Sequence, residues 1–217
     1  MKYCLITYGC QMNKSDSERI AAVLEKMGYS PASNENKTDL IVVNMCSVRQ
    51  SAVDRVFGLT QKFAKLKAIK PNLKTILTGC VLTPDRNKLK EIFDLILNIK
   101  ELAKWPAKIL GRGGPKLNLR VRYLEIKPKY GKYRNNLAYI PISNGCDNAC
   151  TYCAVPYTRG RLIYRSHIDI LKDVKRAVKK GFKEIWLLGQ NVNSYYSTSK
   201  NSSTAALAKV DKIIKFH

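Results

Sequence analysis

Residues 39–46 read DLIVVNMC, a run of branched aliphatic residues closed by Cys46. Two other stretches have the same form, KYCLITYGC at 2–10 and KTILTGC at 74–80. Apolar runs of this kind, bounded by polar and glycine residues, read as strands buried on both faces of a parallel sheet. Between them the periodicity becomes helical. Ile20, Val23, Leu24 and Met27 follow i, i+3, i+4, i+7, and Ser15 with Glu18 reads as a capping box. Val53, Val56, Phe57 and Phe63 mark a second helix. Thr83 as N-cap and Pro84 at the first helical position start a third, continued by Leu89, Ile92 and Phe93. The order is β-α-β-α-β-α, and right-handed crossovers put all three strand ends on one edge of the sheet. Open α/β sheets bind their ligands at that carboxyl edge. Cys10, Cys46 and Cys80, one per strand end, are therefore expected to converge as a three-cysteine metal site.

The remaining cysteines are Cys4, placed inside the first strand as a small core residue, and three in the run GCDNACTYC at 145–153. Cys146, Cys150 and Cys153 have the spacing C-x3-C-x2-C. Three thiolates on one loop can hold three corners of an iron–sulfur cubane and leave one iron open. An open metal position is a mark of chemistry rather than support. Zinc is the rival, although zinc sites normally take four ligands, and Asp147 and His167 are the nearest further donors without motif spacing. Disulfides fit poorly. The cysteine count of seven is odd, the first ten residues read as a strand and not a signal peptide, and no stretch is long enough to span a membrane. A reducing, cytoplasmic setting with no membrane partner is expected, where clustered cysteines serve metals or catalysis.

The fold class is α/β. Residues 1–110 make an open, mostly parallel sheet with flanking helices, in which FDLILNI (93–99) is a fourth strand and Leu102–Ile109 a last helix. GRGGP (111–115) opens a basic linker to residue 136. Its Gly111, Gly113 and Gly114 lack the strand-to-helix context and GK[ST] ending of a phosphate loop. From 137 the pattern reads β-α-β-α. Leu137–Ser143 is a strand. Ser166 with Asp169 caps a helix carrying Leu171, Val174 and Val178. Glu184–Leu188 is a strand ending in Gly189-Gln190-Asn191, 194–203 is a polar loop, and Leu207, Val210 and Ile214 suit one more helix.

The formal charge is +23, from 39 Lys and Arg against 16 Asp and Glu, which favours polyanionic partners. Residues 101–135 hold ten of the basic residues and only Glu101 and Glu125 as acids, with Tyr123, Tyr130 and Tyr133 interleaved. The tyrosines would suit stacking on unpaired bases. A solvated basic linker with packed tyrosines, or the alternating strand-type stretch Leu117–Ile126, reads equally well.

Six ordered motifs carry a resemblance: YGCQMN (8–13), NMCSVR (44–49), TGC (78–80), GCDNACTYC (145–153), PYTRG (156–160) and LLGQNVN (187–193). Together they resemble the radical S-adenosylmethionine methylthiotransferase family, over nearly the whole chain. The resemblance implies two [4Fe–4S] clusters, one on Cys146, Cys150 and Cys153 that binds S-adenosylmethionine, and an auxiliary one on Cys10, Cys46 and Cys80 that holds the sulfur. It implies transfer of a methylthio group to C2 of N6-isopentenyladenine beside the tRNA anticodon. The partners implied are the tRNA anticodon stem-loop and an electron donor such as flavodoxin or ferredoxin, with the full-length protein a monomer. Tyr152 would shield the radical cluster or simply fill the loop. Arg159 and Arg161 would meet phosphate or the cofactor carboxylate, or else be ordinary exposed arginines after the loop. Gln190 and Asn191 would hydrogen-bond ribose or adenine, or else form a turn. Residues 137–217 supply only the first part of the family's (β/α) barrel, so a C-terminally truncated radical SAM domain is expected. Sibling chemistries on threonylcarbamoyl-adenine or a ribosomal protein, a non-catalytic metal-binding RNA-binding protein, and an inactive fragment are the alternatives.

Overall fold

The computed structural model describes residues 1–111, 123–129 and 136–196. Its larger sheet has five strands in the order β2-β1-β3-β4-β5: β1 (Lys2–Tyr8), β2 (Ser30–Pro31), β3 (Leu40–Cys46), β4 (Lys74–Cys80) and β5 (Leu95–Ile96). All four pairings are parallel. The central strand β3 is buried along its whole length, as its unbroken aliphatic run requires. Its side chains alternate between two cores. Leu40 and Val42 join Tyr3, Leu5, Ile20, Leu24 and Trp105 on one face, while Ile41, Val43 and Met45 join Val53, Val56, Phe63 and Phe93 on the other. Cys4 packs, half-buried, against the second core.

The helices are α1 (Gln11–Lys26), α2 (Gln50–Phe57), α3 (Thr60–Ile69), α4 (Thr83–Leu89) and α5 (Trp105–Leu110). Several bounds differ from those expected. The α1 helix starts four residues before Ser15, with Cys10 as N-cap and Asn13 closing the capping box. Ser15 and Glu18 are thus buried interior residues, not caps. The expected second helix is two, separated by Gly58 and Leu59. Leu82, not Thr83, caps α4, which ends at Leu89 before Ile92 and Phe93. Of the stretch 93–99 only Leu95–Ile96 pairs as a strand, and 102–109 is divided between a 3-10 turn, Ile99–Lys104, and α5. Tyr123, Leu124 and Ile126, inside the expected linker, pack into the first core.

The second half holds β6 (Leu137–Pro141), β7 (Ser143–Asn144), α6 (Val155–Arg159), β8 (Ile163–Tyr164), α7 (His167–Lys179) and β9 (Glu184–Leu188). Strands β6 and β9 pair in parallel, with α7 crossing between them, and β7 and β8 pair antiparallel. The expected strand 137–143 breaks at Ile142. Ser166 caps α7 as expected, accepting from the Asp169 amide. The helix buries Ile170, Val174 and Ala177 against Ala138, Ile140 and Ile142, leaving Val178 exposed. The segments 112–122, 130–135 and 197–217 lie outside the described residues. With them go Gly113, Gly114, Tyr130, Tyr133, most of the basic stretch, and the expected helix at Leu207, Val210 and Ile214.

The two halves meet along α1. The Ser15 hydroxyl of α1 donates to the Tyr139 carbonyl of β6, and Asn13, Ser15, Asp16, Ser17, Glu18 and Arg19 are all buried. A helix that is polar on a buried face needs polar partners; here they come from its own turns, from Thr7, Asn44 and Met45 of the neighbouring strands, and from the second half.

Candidate metal centre

The three parallel strands deliver their cysteines to one edge. Cys46 and Cys80 are register partners across β3 and β4, and Cys10 stands at the N-terminus of α1, directly after β1. The Cys80 thiol hydrogen-bonds Cys46, and Cys10 is near enough to act on Cys46 by its charge. The first proton of this pair leaves readily. The Cys46 thiol is pulled down to about 6, chiefly by that hydrogen bond. The Cys80 proton is held, because it makes the bond and because the sulfur is buried.

An amide network fixes the cysteines from below. Asn13 Oδ1 accepts from the Cys10 amide (3.3 Å) and from its thiol (3.2 Å). Asn13 Nδ2 donates to Asn44 Oδ1 and to the Met45 carbonyl, and Asn44 returns bonds to the Asn13 carbonyl and Ser17. Both asparagines are fully buried. They stand in the YGCQMN and NMCSVR motifs, yet nothing in their spacing marks them as the frame of the site. Gly79, just before Cys80, has φ +108, and a side chain there would collide with the Met45 backbone and Asn44. Only glycine fits this close approach.

The second trio lies on the loop after β7. Cys146 and Cys153 are half-buried and Cys150 is exposed. Gly145 has φ +84, with no room for a side chain against the Gly160 and Arg161 carbonyls. The loop is pinned at its start, where the Gly145 amide donates to Gln190 Oε1 (2.6 Å) and the Cys146 amide to the Gly160 carbonyl (3.1 Å). At its far side the Cys153 amide closes a turn onto Cys150. Gln190 thus spends its oxygen on the loop and offers a ligand only its amide nitrogen. Asn191 begins a 3-10 turn, and its carbonyl accepts from Ser194. Tyr152 is 91% exposed, so its ring does not fill the loop. Asp147 accepts from the Leu162 amide (3.0 Å), which commits it to the loop, and His167 opens α7.

Arg159 departs from expectation. It is not on the surface facing phosphate or a cofactor carboxylate but is 3% exposed between the halves. Its Nε donates to Cys80 Sγ (3.0 Å), its Nη1 donates to Asn144 Oδ1 (3.2 Å), and it forms an ion pair with Asp16 at 2.8 Å. Arg161 is exposed and lies 3.9 Å from Asp147.

Among the described residues no three His, Cys, Asp or Glu side chains are gathered tightly enough to close on a metal ion as they stand. The donor chemistry nonetheless fits an iron–sulfur group. Each trio is all-sulfur, and soft thiolate sets select such clusters.

A five-stranded parallel α/β sheet with thiols at its carboxyl edge, joined to a β-α-β unit that opens on a three-cysteine loop, defines a two-part radical SAM protein. Residues 2–99 match the Uncharacterized protein family UPF0004, and residues 140–216 match the Radical SAM superfamily. The chain is 40% identical to the tRNA-2-methylthio-N(6)-dimethylallyladenosine synthase of Carboxydothermus hydrogenoformans, over 97% of this chain and 51% of that protein. It is 38% identical to the synthase of the same name from Dictyoglomus thermophilum, over 95% of this chain and 49% of that one. For the Pelotomaculum thermopropionicum synthase the values are 40%, 89% and 46%. The chain carries both of these domains and is similar to the synthases over nearly its whole length. It spans about half the length of the curated relatives it matches. Membership in the radical SAM superfamily implies an iron–sulfur cluster and S-adenosylmethionine. No helix among the described residues is long and apolar enough to cross a membrane.

Proposed function

We propose that this chain provides the cluster-holding part of a tRNA methylthiotransferase that adds a methylthio group at C2 of N6-isopentenyladenine beside the anticodon. The observation that carries it is the convergence of Cys10, Cys46 and Cys80 at one sheet edge in a chain that also bears the C-x3-C-x2-C loop. Two [4Fe–4S] clusters are the implied groups, an auxiliary one on Cys10, Cys46 and Cys80 and a radical one on Cys146, Cys150 and Cys153. When bound, a cluster with an open iron supplies the electron that cleaves S-adenosylmethionine. The protein's own part is placement. Asn13 and Asn44 hold Cys10 and the end of β3 in register, and Gln190 with the Gly160 carbonyl fixes the start of the loop. Tyr152, exposed beside Cys153, would cover the loop once a nucleotide or cofactor docks, and the amides of Gln190 and Asn191, at the end of β9, would meet ribose or adenine.

In this reading residues 1–110 are the auxiliary-cluster domain, 111–136 a basic linker and 137–217 radical SAM sequence. The partners are the tRNA anticodon stem-loop and a flavodoxin- or ferredoxin-type donor, met in the cytoplasm by a monomer. The relatives' shared name supports the isopentenyladenine substrate over threonylcarbamoyl-adenine, a ribosomal protein or a non-catalytic role.

Iron and sulfide analysis after anaerobic reconstitution tests it. About eight irons per chain are expected, and about four when Cys146, Cys150 and Cys153 are all changed to Ala. A colourless protein that takes up zinc and no iron sinks the proposal.

A further inference from the structure

The geometry points to Arg159 as the positioning residue that links the two cysteine sites and, through Cys80, raises the reduction potential of the cluster on Cys10, Cys46 and Cys80. This rests on the reading that those three cysteines hold a cluster. Arg159 ends α6, six residues after Cys153, yet its side chain reaches Cys80 at the other sheet's edge. Its backbone carbonyl accepts from Asn144 Nδ2 (3.4 Å), and the carbonyl of the next residue, Gly160, accepts from the Cys146 amide. One arginine and one peptide unit therefore connect the sulfur of one trio to the backbone of the other.

The chemistry follows from charge. Reducing an iron–sulfur cluster by one electron adds a negative charge spread over iron and sulfur, and hydrogen bonds to the ligand sulfurs set its potential. An N–H aimed at Cys80 Sγ stabilises that added charge, and a buried guanidinium does so in surroundings that screen poorly. Arginine suits the task because its planar fork holds several acceptors at fixed angles and never loses its proton. Asp16 offsets part of the charge, but through a different nitrogen, so the Nε–H remains directed at the sulfur. Lys100, near enough to feel Arg159 electrostatically, adds a second positive charge to this side.

The test uses the full chain with Cys146, Cys150 and Cys153 changed to Ala, so that only the first trio can load. An anaerobic titration with dithionite delivers one electron to the cluster without making or breaking a bond, and electron paramagnetic resonance reads the reduced form. Arg159→Lys keeps the charge and loses the fork. The pair Arg159→Gln with Asp16→Asn removes both charges and leaves no unpaired ion buried. Both variants are expected to keep their iron and to shift the potential negative, by about tenfold in the reduction equilibrium, or about 59 mV, for the neutral pair and by less for Lys. Iron retained with an unmoved potential overturns the inference alone. Folded variants that lose their iron overturn it too, because Arg159 is then only a structural prop. A parent that loads no iron removes the cluster reading itself.

Discussion

Glu18 lies 2% exposed on the buried side of α1. Burial pushes its carboxyl from the usual range up to about 8, and the neighbouring Arg19 charge offsets this only in part. Because the folded state holds this proton more tightly than the unfolded chain, its contribution to stability falls as pH rises from about 4.5 to about 8. At about 1.4 kcal/mol per unit, the loss is several kcal/mol at most. Glu18→Gln should therefore match the parent near pH 4.5 and be the more stable protein above pH 8, by denaturant melts at both values. Equal stability at alkaline pH would show that the carboxylate finds a partner. In sequence Glu18 sits three after Ser15, which is the spacing of a helix cap. The signal misleads because the true cap, Cys10 with Asn13, uses a cysteine, a residue outside the usual capping set. At Gly79 the constraint is backbone. Gly79→Ala forces a residue with a side chain into φ +108 against the Met45 backbone. It should cost roughly 1–3 kcal/mol in strain and reduce the iron retained at Cys80. A variant with unchanged melting midpoint and iron content would refute this.

Element by element, legibility followed burial. The fully covered β3 and its neighbours β1 and β4 were evident, because a strand buried on both faces can be built only from unbroken aliphatic runs. Strand β9 and the cap of α7 were equally plain. What the sequence hid was where elements stop. The α2 and α3 helices share one apolar period across Gly58 and Leu59, and Phe63 of α3 packs edge-on against Phe93 at 5.6 Å on the same core. Periodicity alone cannot distinguish two helices on one face from one. The strand expected at 93–99 keeps only two paired residues, since β5 is an edge and Asp94 turns back to the Thr75 amide and hydroxyl instead. For α7, the Ser166 cap rests on a single hydroxyl at 3.2 Å from the Asp169 amide. Ser166→Ala should destabilise by about 1 kcal/mol, whereas Ser166→Thr, which keeps the hydroxyl that meets both the Asp169 amide and carboxylate, should cost less. Chemical denaturation separates the two, and an equal loss in both would mean that the hydroxyl is not what stabilises the helix start.

Across the whole molecule, α1 is the shared wall. Its apolar residues Ile20, Val23 and Leu24 belong to the first core, while Ser15 and Asp16 reach the second half through Tyr139 and Arg159. This contact was not legible in the sequence, because polar residues on a helix read as a solvated face unless the partner is known. The energetics are asymmetric. The first half has a five-stranded sheet and two cores, whereas the described second half has one core, a short antiparallel pair and a two-stranded parallel pair. Such a pair depends on what packs against it. The two tryptophans report the halves separately: Trp105 is buried in the first core, and Trp186 on β9 stacks edge-on against Tyr139 at 6.0 Å. Single-tryptophan versions made with Trp105→Phe and Trp186→Phe should melt together, because breaking the second half away exposes the Asp16–Arg159 pair and the polar side of α1. Asp16→Ala leaves the Arg159 charge buried without its carboxylate, at a cost of about 3–5 kcal/mol. In that variant the Trp186 transition should come first and the Trp105 transition should stay close to its parent position. Transitions already separate in the parent, or unmoved in Asp16→Ala, would mean that the halves are not held through α1.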